Sequence, residues 1–355
     1  MNPEEMKDVF TKLDDFRRPP ANPLVKLLAT GVASYKGEKW FKHRRIINPT
    51  FQVEKLKLSG RKENIRTPQG TRNAGFKFLQ SVYIPGWRFL PTNRNKRMKK
   101  IDKETKGLLK GIISKREKAI EAGEATKYDL LGALKESKFK DVQRDEKGGM
   151  MSSEDVIEEC KLFYFAGQET TSVLLVWTMI LLCQNQNWQD RARQEVLQVF
   201  GSNKPDFDGL THLKVVTMVL LEALRLYPAL VLITRNTAKE TQLGKFSLPA
   251  EVQVSLPTLL IHRDKELWGD DANEFNPERF SEGISKATKS PISFFPFGGG
   301  PRICIGQNFA TLEAKLALSL ILQHFHFELS PSYADAPSPP MIRPQYGAPI
   351  ILQKR

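Results

Sequence analysis

Cysteine and histidine are scarce in this chain, and their scarcity excludes several classes of protein. The 355 residues contain 3 cysteines and 5 histidines. Cys160, Cys183 and Cys304 are too few and too scattered for a disulfide framework or a cysteine-rich zinc site. The histidines show no carboxylate-supported zinc pattern, and His324-x-His326 is interpreted as a connection between a helix and a strand. A single cysteine can still be a metal ligand.

A secretory signal and a membrane anchor are not expected at this end of the chain, because Met1–Arg18 is polar and charged throughout. The best candidate for a membrane span is Leu162–Cys183, which is long enough to cross a bilayer. Its centre carries Gln168 and Glu169, and a central acid costs about 2.5–3.5 kcal/mol on insertion scales. We therefore predict that this segment is a buried helix.

The composition is that of an ordinary globular protein, with 40% hydrophobic and 26% charged residues. Disorder and collagen-like repeats are excluded. The net charge of +14 is uneven, since residues 1–150 hold 35 Lys and Arg against 18 Asp and Glu, and residues 151–355 hold 19 against 22. A basic half is usually a solvated surface, and less often a site for nucleic acid, phospholipid or an acidic protein. Charge alone leaves these alternatives open.

The hydrophobic periodicity predicts a mainly α fold with small β-sheets. Residues 1–58 have the pattern of short helices, whereas Ser59–Gly75 has no period and almost nothing apolar. Apolar residues resume at Phe76. The later part predicts helices at Ser153–Gln184, Asp190–Phe200 and Leu213–Tyr227, strands at Leu230–Arg235, Lys245–Leu248, Val252–Leu256, Phe325–Leu329 and Pro349–Leu352, and a helix from the glycine-rich loop Phe294–Gly306 to about Gln323. Ser153 is expected to cap the first of these helices, with Asp155 in its first turn.

Cys304 is the most informative residue, because it lies between glycines directly before a predicted helix. Glycines let the backbone approach a flat ligand, and a helix N-terminus stabilises a thiolate. A thiolate in such a loop is what a ligand of haem iron requires. An isolated cysteine is more often a buried structural residue, and this alternative stays open on the loop alone.

Two further motifs have a structural as well as a functional interpretation. Glu222 and Arg225 are neighbours at i,i+3 on one helix, and Pro277–Phe280 adds Arg279. These residues indicate either an internal charge network or an ordinary surface pair. Ala166–Thr171 places a glycine, an acid and a hydroxyl in the middle of the long helix. It is either a polar stripe of a core helix or a groove beside a ligand.

Taken together, these motifs resemble the cytochromes P-450, the haem-thiolate monooxygenases. They occur in that family's order: the oxygen-activating motif Ala166–Thr171, Glu222-x-x-Arg225, Pro277–Phe280, and the haem loop with Phe297, Gly300, Arg302, Cys304 and Gly306. The sequence around these motifs is similar to that of the plant 72 clan, whose members include secologanin synthase.

The resemblance implies a role for each matching residue. Cys304 is implied to be the proximal iron ligand in a loop bounded by Phe297 and Gly306, and Thr170 with Glu169 the distal catalytic pair. Glu222, Arg225 and Arg279 are implied to be a folding triad. The implied contacts of the haem propionates are Trp40, Arg44, Arg235 and Arg302.

The resemblance also implies cofactors and partners. We expect haem b, electrons from NADPH through an acidic flavoprotein reductase, O2, and a small apolar substrate of terpenoid or other isoprenoid type. The reductase would meet a basic face made by Lys36, Lys39, Lys42 and Arg45. The family is associated with the endoplasmic reticulum membrane, whereas a chain without the anchor would be cytoplasmic or peripheral.

The chain departs from the family in segments that we expect to be missing. We expect a P-450 fold without the N-terminal anchor and without part of the helices before residue 76. The expected division is N-terminal helices at 1–58, an irregular junction at 59–75, and the remainder of one haem-binding domain at 76–355. Gly299, where relatives often carry tryptophan, is a milder departure.

Two other classes of function compete with the monooxygenase. One is a truncated, inactive product that binds haem poorly. The other is a basic nucleic-acid binder, but the chain has no recognisable recognition module or array of stacking aromatics, so we expect no nucleic-acid partner.

Overall fold

The structure is a computed structural model that describes residues 2–20, 30–52, 86, 89–122, 132, 134, 151–338 and 341–354. The expected junction at 59–75 lies outside the described residues, as do both of its boundaries. The three-part division of the chain therefore stays a prediction.

Helices dominate the described residues, which confirms the mainly α fold class. In chain order they are α1 (Pro3–Thr11), α2 (Gly37–Ile47), α3 (Asn93–Glu121), α4 (Ser153–Gln184), α5 (Gln186–Phe200), α6 (Phe207–His212), α7 (Lys214–Leu226), α8 (Thr258–Ile261), α9 (Lys265–Trp268), α10 (Ile284–Ala287) and α11 (Gln307–His324). Short 3-10 helices lie at Asn48–Phe51, Pro277–Phe280, Pro291–Ser293 and Gly300–Arg302.

The strands form small antiparallel sheets, also as predicted. They are β1 (Phe16–Arg17), β2 (Ile233–Thr237), β3 (Thr241–Leu243), β4 (Phe246–Leu248), β5 (Gln253–Leu256), β6 (Phe325–Leu329), β7 (Pro337–Ser338), β8 (Arg343–Pro344) and β9 (Ile350–Lys354). β1, β2 and β5 form one sheet in that order, and the other pairs are β3·β4, β6·β9 and β7·β8.

The described chain divides into two compact units. One contains residues 1–19 and 169–355, and the other contains residues 20–168. We call them the C-terminal unit and the N-terminal unit, and each is described by itself. The division falls inside α4, between Gln168 and Glu169.

The core of the C-terminal unit is built by the apolar faces of α4, α5, α7 and α11. On α7 the buried residues Val216, Val219, Leu220 and Ala223 follow the spacing of one helical face. They pack with Leu318 and other buried side chains of the neighbouring helices. A second cluster joins α1 to the β1-β2-β5 sheet through Met6, Val9, Phe10, Phe16 and Leu256.

The predicted bounds of α4 are confirmed, but its cap lies one residue earlier than expected. Ser152 Oγ accepts a hydrogen bond from the Asp155 N–H at 3.0 Å, and the Ser152 N–H donates to the Asp155 carboxylate at 3.0 Å. This reciprocal pair is a capping box, so Ser152 and not Ser153 is the N-cap. By length and composition α4 could cross a membrane, and half of its most apolar stretch is buried in the protein.

Other element bounds differ from the sequence predictions for identifiable reasons. α5 begins at Gln186, before the predicted Asp190, because Trp188 is buried in the core. β2 lies at Ile233–Thr237 and not at Leu230–Arg235, since its pairing with β5 sets the register and extends it over polar residues. β1 interrupts a region that we expected to contain only short helices. The interpretation of His324-x-His326 is confirmed, because α11 ends at His324 and β6 begins at the next residue.

The N-terminal unit contains a buried charge network around the start of α4. His43 Nδ1 lies 2.6 Å from Glu159 Oε1, and the Val32 N–H donates to Glu159 Oε2 at 3.0 Å. Lys161, nearly fully buried, binds the carboxylates of Asp102 at 2.7 Å and Glu158 at 3.0 Å. These contacts join α2 and α3 to the first turns of α4.

The Glu222–Arg225 pair is fully buried in the C-terminal unit, which excludes the surface-pair alternative. Arg225 Nε and one Nη donate to the two carboxylate oxygens of Glu222, each at 2.7 Å. The remaining donors bind the carbonyl oxygens of His262, Ala272 and Glu274 at 2.5–3.0 Å. The triad of the resemblance is completed by Arg279, whose Nε lies 3.8 Å from Glu222 Oε1.

We expect Arg225→Ala to lower the free energy of unfolding of the C-terminal unit by about 3–5 kcal/mol, because it leaves a buried carboxylate without its cation. A matched control is Glu278→Ala, one residue from Arg279. Glu278 is half exposed and pairs with the exposed Arg191, so this substitution should cost less than about 1 kcal/mol. Denaturant unfolding measures both, and equal midpoints would contradict a structural role for the buried pair.

Candidate active site

The glycine-rich loop before α11 presents Cys304 at the protein surface. Gly298 and Gly300 adopt φ values of +77° and +65°, which lie in the left-handed region that favours glycine. The Cys304 N–H donates to the carbonyl oxygen of Phe297 at 2.8 Å and so closes the loop. Cys304 is exposed and takes part in no disulfide. The loop therefore holds a thiol in a fixed and accessible position.

The sulfur of Cys304 lies beside the first turn of α11. Gly306 is the N-cap of this helix, and a Cβ added there would lie 4.0 Å from Cys304 Sγ. The partial positive charge of a helix N-terminus stabilises a thiolate over a thiol. This position favours the anionic form that a metal ligand requires.

Helix α1 packs against the same loop from the N-terminal end of the chain. A Cβ at Gly299 would lie 2.9 Å from the Phe10 ring, and a Cβ at Gly300 would meet the Phe10 carbonyl group. A tryptophan at position 299 would therefore overlap Phe10. The glycine at this position is explained by the aromatic ring that occupies the space.

His262 supports the loop from behind, a role that the sequence analysis missed. It is fully buried, and its Nε2 accepts a hydrogen bond from the Phe295 N–H at 3.1 Å. Burial, and secondly the nearby Arg225 guanidinium, lower the pKa of His262 to about 3. The ring is therefore neutral and carries its proton on Nδ1. No sequence motif identifies this role, because it depends on a contact between residues far apart in the chain.

The predicted distal pair lies in the middle of α4, with Glu169 buried and Thr170 half-buried. Glu169 forms an ion pair with the guanidinium of Arg343, on β8. The position of Arg343 is fixed by its neighbour, because the carbonyl oxygen of Ile342 accepts a hydrogen bond from Trp177 Nε1 at 2.7 Å. The sequence analysis did not identify Arg343, and nothing in the local pattern of residues distinguishes it.

Arg235 is the predicted propionate contact whose surroundings are best defined. It lies on β2, is 7% exposed, and donates from one Nη to the carbonyl oxygen of Thr234 at 2.9 Å. Its Nε is buried and has no hydrogen-bond partner among the described residues. A buried guanidinium with an unused donor is suited to an anionic group that is not part of the described chain.

The remaining predicted site residues fall into two groups. Arg302 is half-buried and lies in the cysteine loop, with Phe297 and Gly306. Trp40 and Arg44 lie on α2 in the N-terminal unit, where Trp40 is buried and Arg44 is half-buried. The structure thus brings Phe297, Arg302, Cys304 and Gly306 together on one loop, and it holds Glu169 and Thr170 on one helix.

Metal ligation by a cluster of side chains is not indicated in the described part of the chain. Within those residues, no group of three or more His, Cys, Asp or Glu side chains could hold a metal ion. A metal bound by a single thiolate, with the other ligands supplied by a cofactor, does not need such a cluster.

Comparison with known proteins identifies the family. The family model described as cytochrome P450 matches residues 70–348, well over half of the chain. The chain belongs to the cytochrome P450 family. As a P450 it is an oxidoreductase of the monooxygenase type, and its similarity to plant members confirms the 72 clan that the sequence resembles.

The similar proteins are plant P450s that match nearly the whole chain. Cytochrome P450 CYP72A219 of Panax ginseng is 52% identical over 406 aligned positions, which cover 99% of this chain and 78% of that protein. The 11-oxo-beta-amyrin 30-oxidase of Glycyrrhiza uralensis is 47% identical with the same coverage. Secologanin synthase 1 of Catharanthus roseus is 46% identical over 410 positions, covering 100% of this chain and 78% of that protein. Because these alignments exceed the 355 residues of the chain, the relatives contain internal positions that have no counterpart here.

The P450 family implies a haem iron, and the residues of this chain fit that group. The exposed Cys304 beside a helix N-terminus has the chemistry of an axial thiolate. The buried Nε of Arg235 offers a donor to a propionate. The fit thus rests on a suitable metal ligand and on an unused cationic donor in the same unit.

We expect the C-terminal unit to lose stability as the pH falls from about 6.5 towards 3, with His262 contributing about 1.4 kcal/mol per pH unit. In this window the unfolded chain binds a proton on His262, whereas the folded protein, with its lowered pKa of about 3, does not. His262→Gln, which keeps an acceptor for the Phe295 N–H, should therefore flatten the pH dependence of the unfolding midpoint. His212→Gln, at an exposed position, is the control, and equal slopes in the two variants would contradict the prediction.

Proposed function

We propose that this P450 inserts one oxygen atom from O2 into an apolar terpenoid substrate, using electrons that NADPH supplies through a reductase. The observation that carries this proposal is the 46–47% identity, over nearly the whole chain, to proteins named for secologanin synthesis and for oxidation of 11-oxo-beta-amyrin. β-Amyrin is a large apolar triterpenoid. We therefore propose an isoprenoid of this class as the substrate of this chain.

In this proposal, Cys304 would ligate the haem iron, and Arg235 and Arg302 would neutralise the propionates. The family resemblance implies the same role for Trp40 and Arg44. Haem bound through a thiolate supplies the activation of O2. Charge-assisted hydrogen bonds from arginine to carboxylate are about twice as strong as neutral ones, so these side chains would fix the orientation of the ring. Phe297 and Gly306 shape the loop that presents the sulfur.

The proposed task of Thr170 and Glu169 is to deliver the protons that cleavage of O2 consumes. Thr170 Oγ1 would donate a hydrogen bond towards the reacting oxygen and hold a water molecule beside it. The Glu169 carboxylate would take up a proton from water and then donate it to that site. Its ion pair with Arg343 keeps the carboxylate in one position within α4.

The reductase would approach the basic residues of α2 and the turn before it. Lys36 and Arg45 are exposed, whereas Lys39 forms an ion pair with Asp155 at 2.7 Å and Lys42 is half-buried. Lys36 and Arg45 are therefore the members of the predicted basic face that remain most available to an acidic partner. Charges of this kind mainly accelerate association. We propose the endoplasmic reticulum membrane of the family as the location.

A second candidate is a shortened P450 product that binds haem poorly and does not turn over. It is favoured by the internal positions that the relatives contain and this chain lacks. The two candidates differ in one measurable property, because only the first forms the haem-thiolate centre.

The carbon monoxide difference spectrum of the reduced protein tests the proposal. We expect a red-shifted Soret band in the wild type, its loss in Cys304→Ser, and its retention in Cys160→Ser and Cys183→Ser. The band depends on thiolate ligation, which serine cannot supply. A band that survives Cys304→Ser would contradict the assignment of the ligand, and a wild type without haem would support the shortened, inactive product.

We expect Thr170→Ala to uncouple the reaction, because proton delivery loses its hydroxyl while the iron still accepts electrons. Consumption of NADPH should then exceed product formation, with hydrogen peroxide accounting for most of the difference. Thr170→Ser, which keeps a hydroxyl, should restore coupling. The assay uses reductase and a triterpenoid that the wild type oxidises, and tight coupling in the alanine variant would argue against the relay.

A further inference from the structure

The rings of Trp177 and Tyr227 form a close parallel stack inside the C-terminal unit. Their centroids lie 3.8 Å apart, and their planes differ by 6°. Aromatic pairs in proteins more often have centroids about 4.5–7 Å apart, in offset or edge-to-face arrangements. The two π systems of this pair therefore overlap face to face. Such overlap favours the transfer of an electron from one ring to the other.

Trp177 lies on the same face of α4 as Thr170. It follows Thr170 by seven residues of continuous helix, which places it about 10 Å further along the helix axis. The indole is fully buried, and its Nε1–H donates to the carbonyl oxygen of Ile342 at 2.7 Å. Thr170 belongs to the proposed site of O2 activation. An easily oxidised side chain thus occupies a fixed position two helical turns from that site.

A second tyrosine leads from this stack towards solvent. Tyr227 and Tyr333 both pack against the buried cluster that contains Trp177. Tyr333 is half-buried, and its hydroxyl donates to the carboxylate of the exposed Asp335 at 3.3 Å. Burial first, then Asp335 and lastly Tyr227, raise the pKa of Tyr333. The phenol of Tyr333 therefore keeps its proton until it is oxidised, and a base lies beside it.

Tryptophan and tyrosine are the side chains that lose a single electron most readily. A phenol gives up its electron easily only when its proton leaves at the same time, so a tyrosine in this role needs an adjacent proton acceptor. Asp335 supplies that acceptor at the outer end of the path. The three rings and the carboxylate together provide what transfer of an electron across this part of the protein requires.

We propose that Trp177, Tyr227 and Tyr333 form an electron relay between the protein surface and the haem, which discharges the oxidised haem when activated O2 meets no substrate. The inference rests on the haem binding of the proposed function, and it assigns a further activity to residues outside the proton-delivery pair. It explains why an oxidisable stack lies so close to a site that handles O2.

The electrons and protons of the relay balance. Trp177 loses one electron, and the oxidised haem gains it. Tyr227 replaces that electron through the stack and receives one from Tyr333, so that it ends unchanged. Tyr333 passes its phenolic proton to Asp335 as it loses the electron, which leaves a neutral tyrosyl radical. A soluble reductant, a thiol or ascorbate, returns one electron, and Asp335 returns the proton.

The first test uses the haem-free full chain. A light flash that tryptophan absorbs and tyrosine does not ionises the indoles, and the absorption of indolyl and phenoxyl radicals is then followed in time. We expect a phase in which the indolyl radical decays as the phenoxyl radical forms. This phase should be lost in Trp177→Phe and in Tyr227→Phe, which keeps the stacked ring and removes the phenol.

Trp188→Phe is the matched control for the flash experiment. Trp188 is also buried, but its ring lies against the guanidinium of Arg191, at 4.0 Å, and contacts no tyrosine ring of the described chain. The coupled phase should persist in this variant. Equal phenoxyl yields in Tyr227→Phe and Trp188→Phe would overturn the proposal.

The second test uses the haem-loaded chain without substrate. Hydrogen peroxide is added, the sample is frozen, and radicals are detected by electron paramagnetic resonance. We expect a tyrosyl signal that is lost in Tyr333→Phe and in Asp335→Asn, which keeps the phenol but removes its proton acceptor. Tyr346→Phe, at an exposed tyrosine outside the path, should retain the signal. A signal that survives both Tyr333→Phe and Asp335→Asn would overturn the proposed outer end of the relay.

The two tests separate this inference from the proposed function. A wild type that shows the coupled phase but takes up no haem would overturn the proposed function and leave the electron path within the chain established. A wild type that forms the haem-thiolate centre but shows no coupled phase would overturn the relay alone.

Discussion

The buried ion pair between Glu222 and Arg225 is the interaction on which the order of the C-terminal unit depends. Arg225 binds the carbonyl oxygen of His262, and the His262 ring accepts the backbone N–H of Phe295 at the start of the cysteine loop. The Phe297 carbonyl oxygen then accepts the N–H of Cys304. A charge pair with no solvent exposure is thus connected, through a short series of hydrogen bonds and backbone segments, to the backbone of the cysteine that would bind iron.

The sequence predicted the features that depend on local pattern and on motif order. α4 was predicted with its observed bounds because apolar residues continue on both sides of its polar centre, Gln168 and Glu169, and the triad partners were implied by the order of the family's motifs. β1 and the start of α5 were missed because pairing and core packing, not propensity, determine them. His262 and Arg343 could not be found from the sequence, since each acts on a residue distant in the chain and neither belongs to a local motif.

Electrostatics differ between the two units in a way that net charge does not reveal. In the N-terminal unit, the basic side chains around the start of α4 meet acids, as Lys161 does with Asp102 and Glu158. In the C-terminal unit, Arg235 is buried without a described acid, although residues 151–355 hold more acidic than basic residues. Unbalanced buried charge is costly. The buried cation of Arg235 is therefore a better indication of a bound ligand than the net charge of +14.

The contact of Arg343 with Glu169 makes the middle of α4 dependent on β8, which lies near the C-terminal end of the chain. The short hairpin of β7 and β8 is fixed to the helix at two points, by the Trp177–Ile342 hydrogen bond and by this ion pair. Insertions or substitutions in the hairpin would shift the Glu169 carboxylate without changing any residue of α4. If Glu169 delivers protons as proposed, divergence in this hairpin changes the coupling of oxygen consumption to product formation, while the residues of Ala166–Thr171 stay identical.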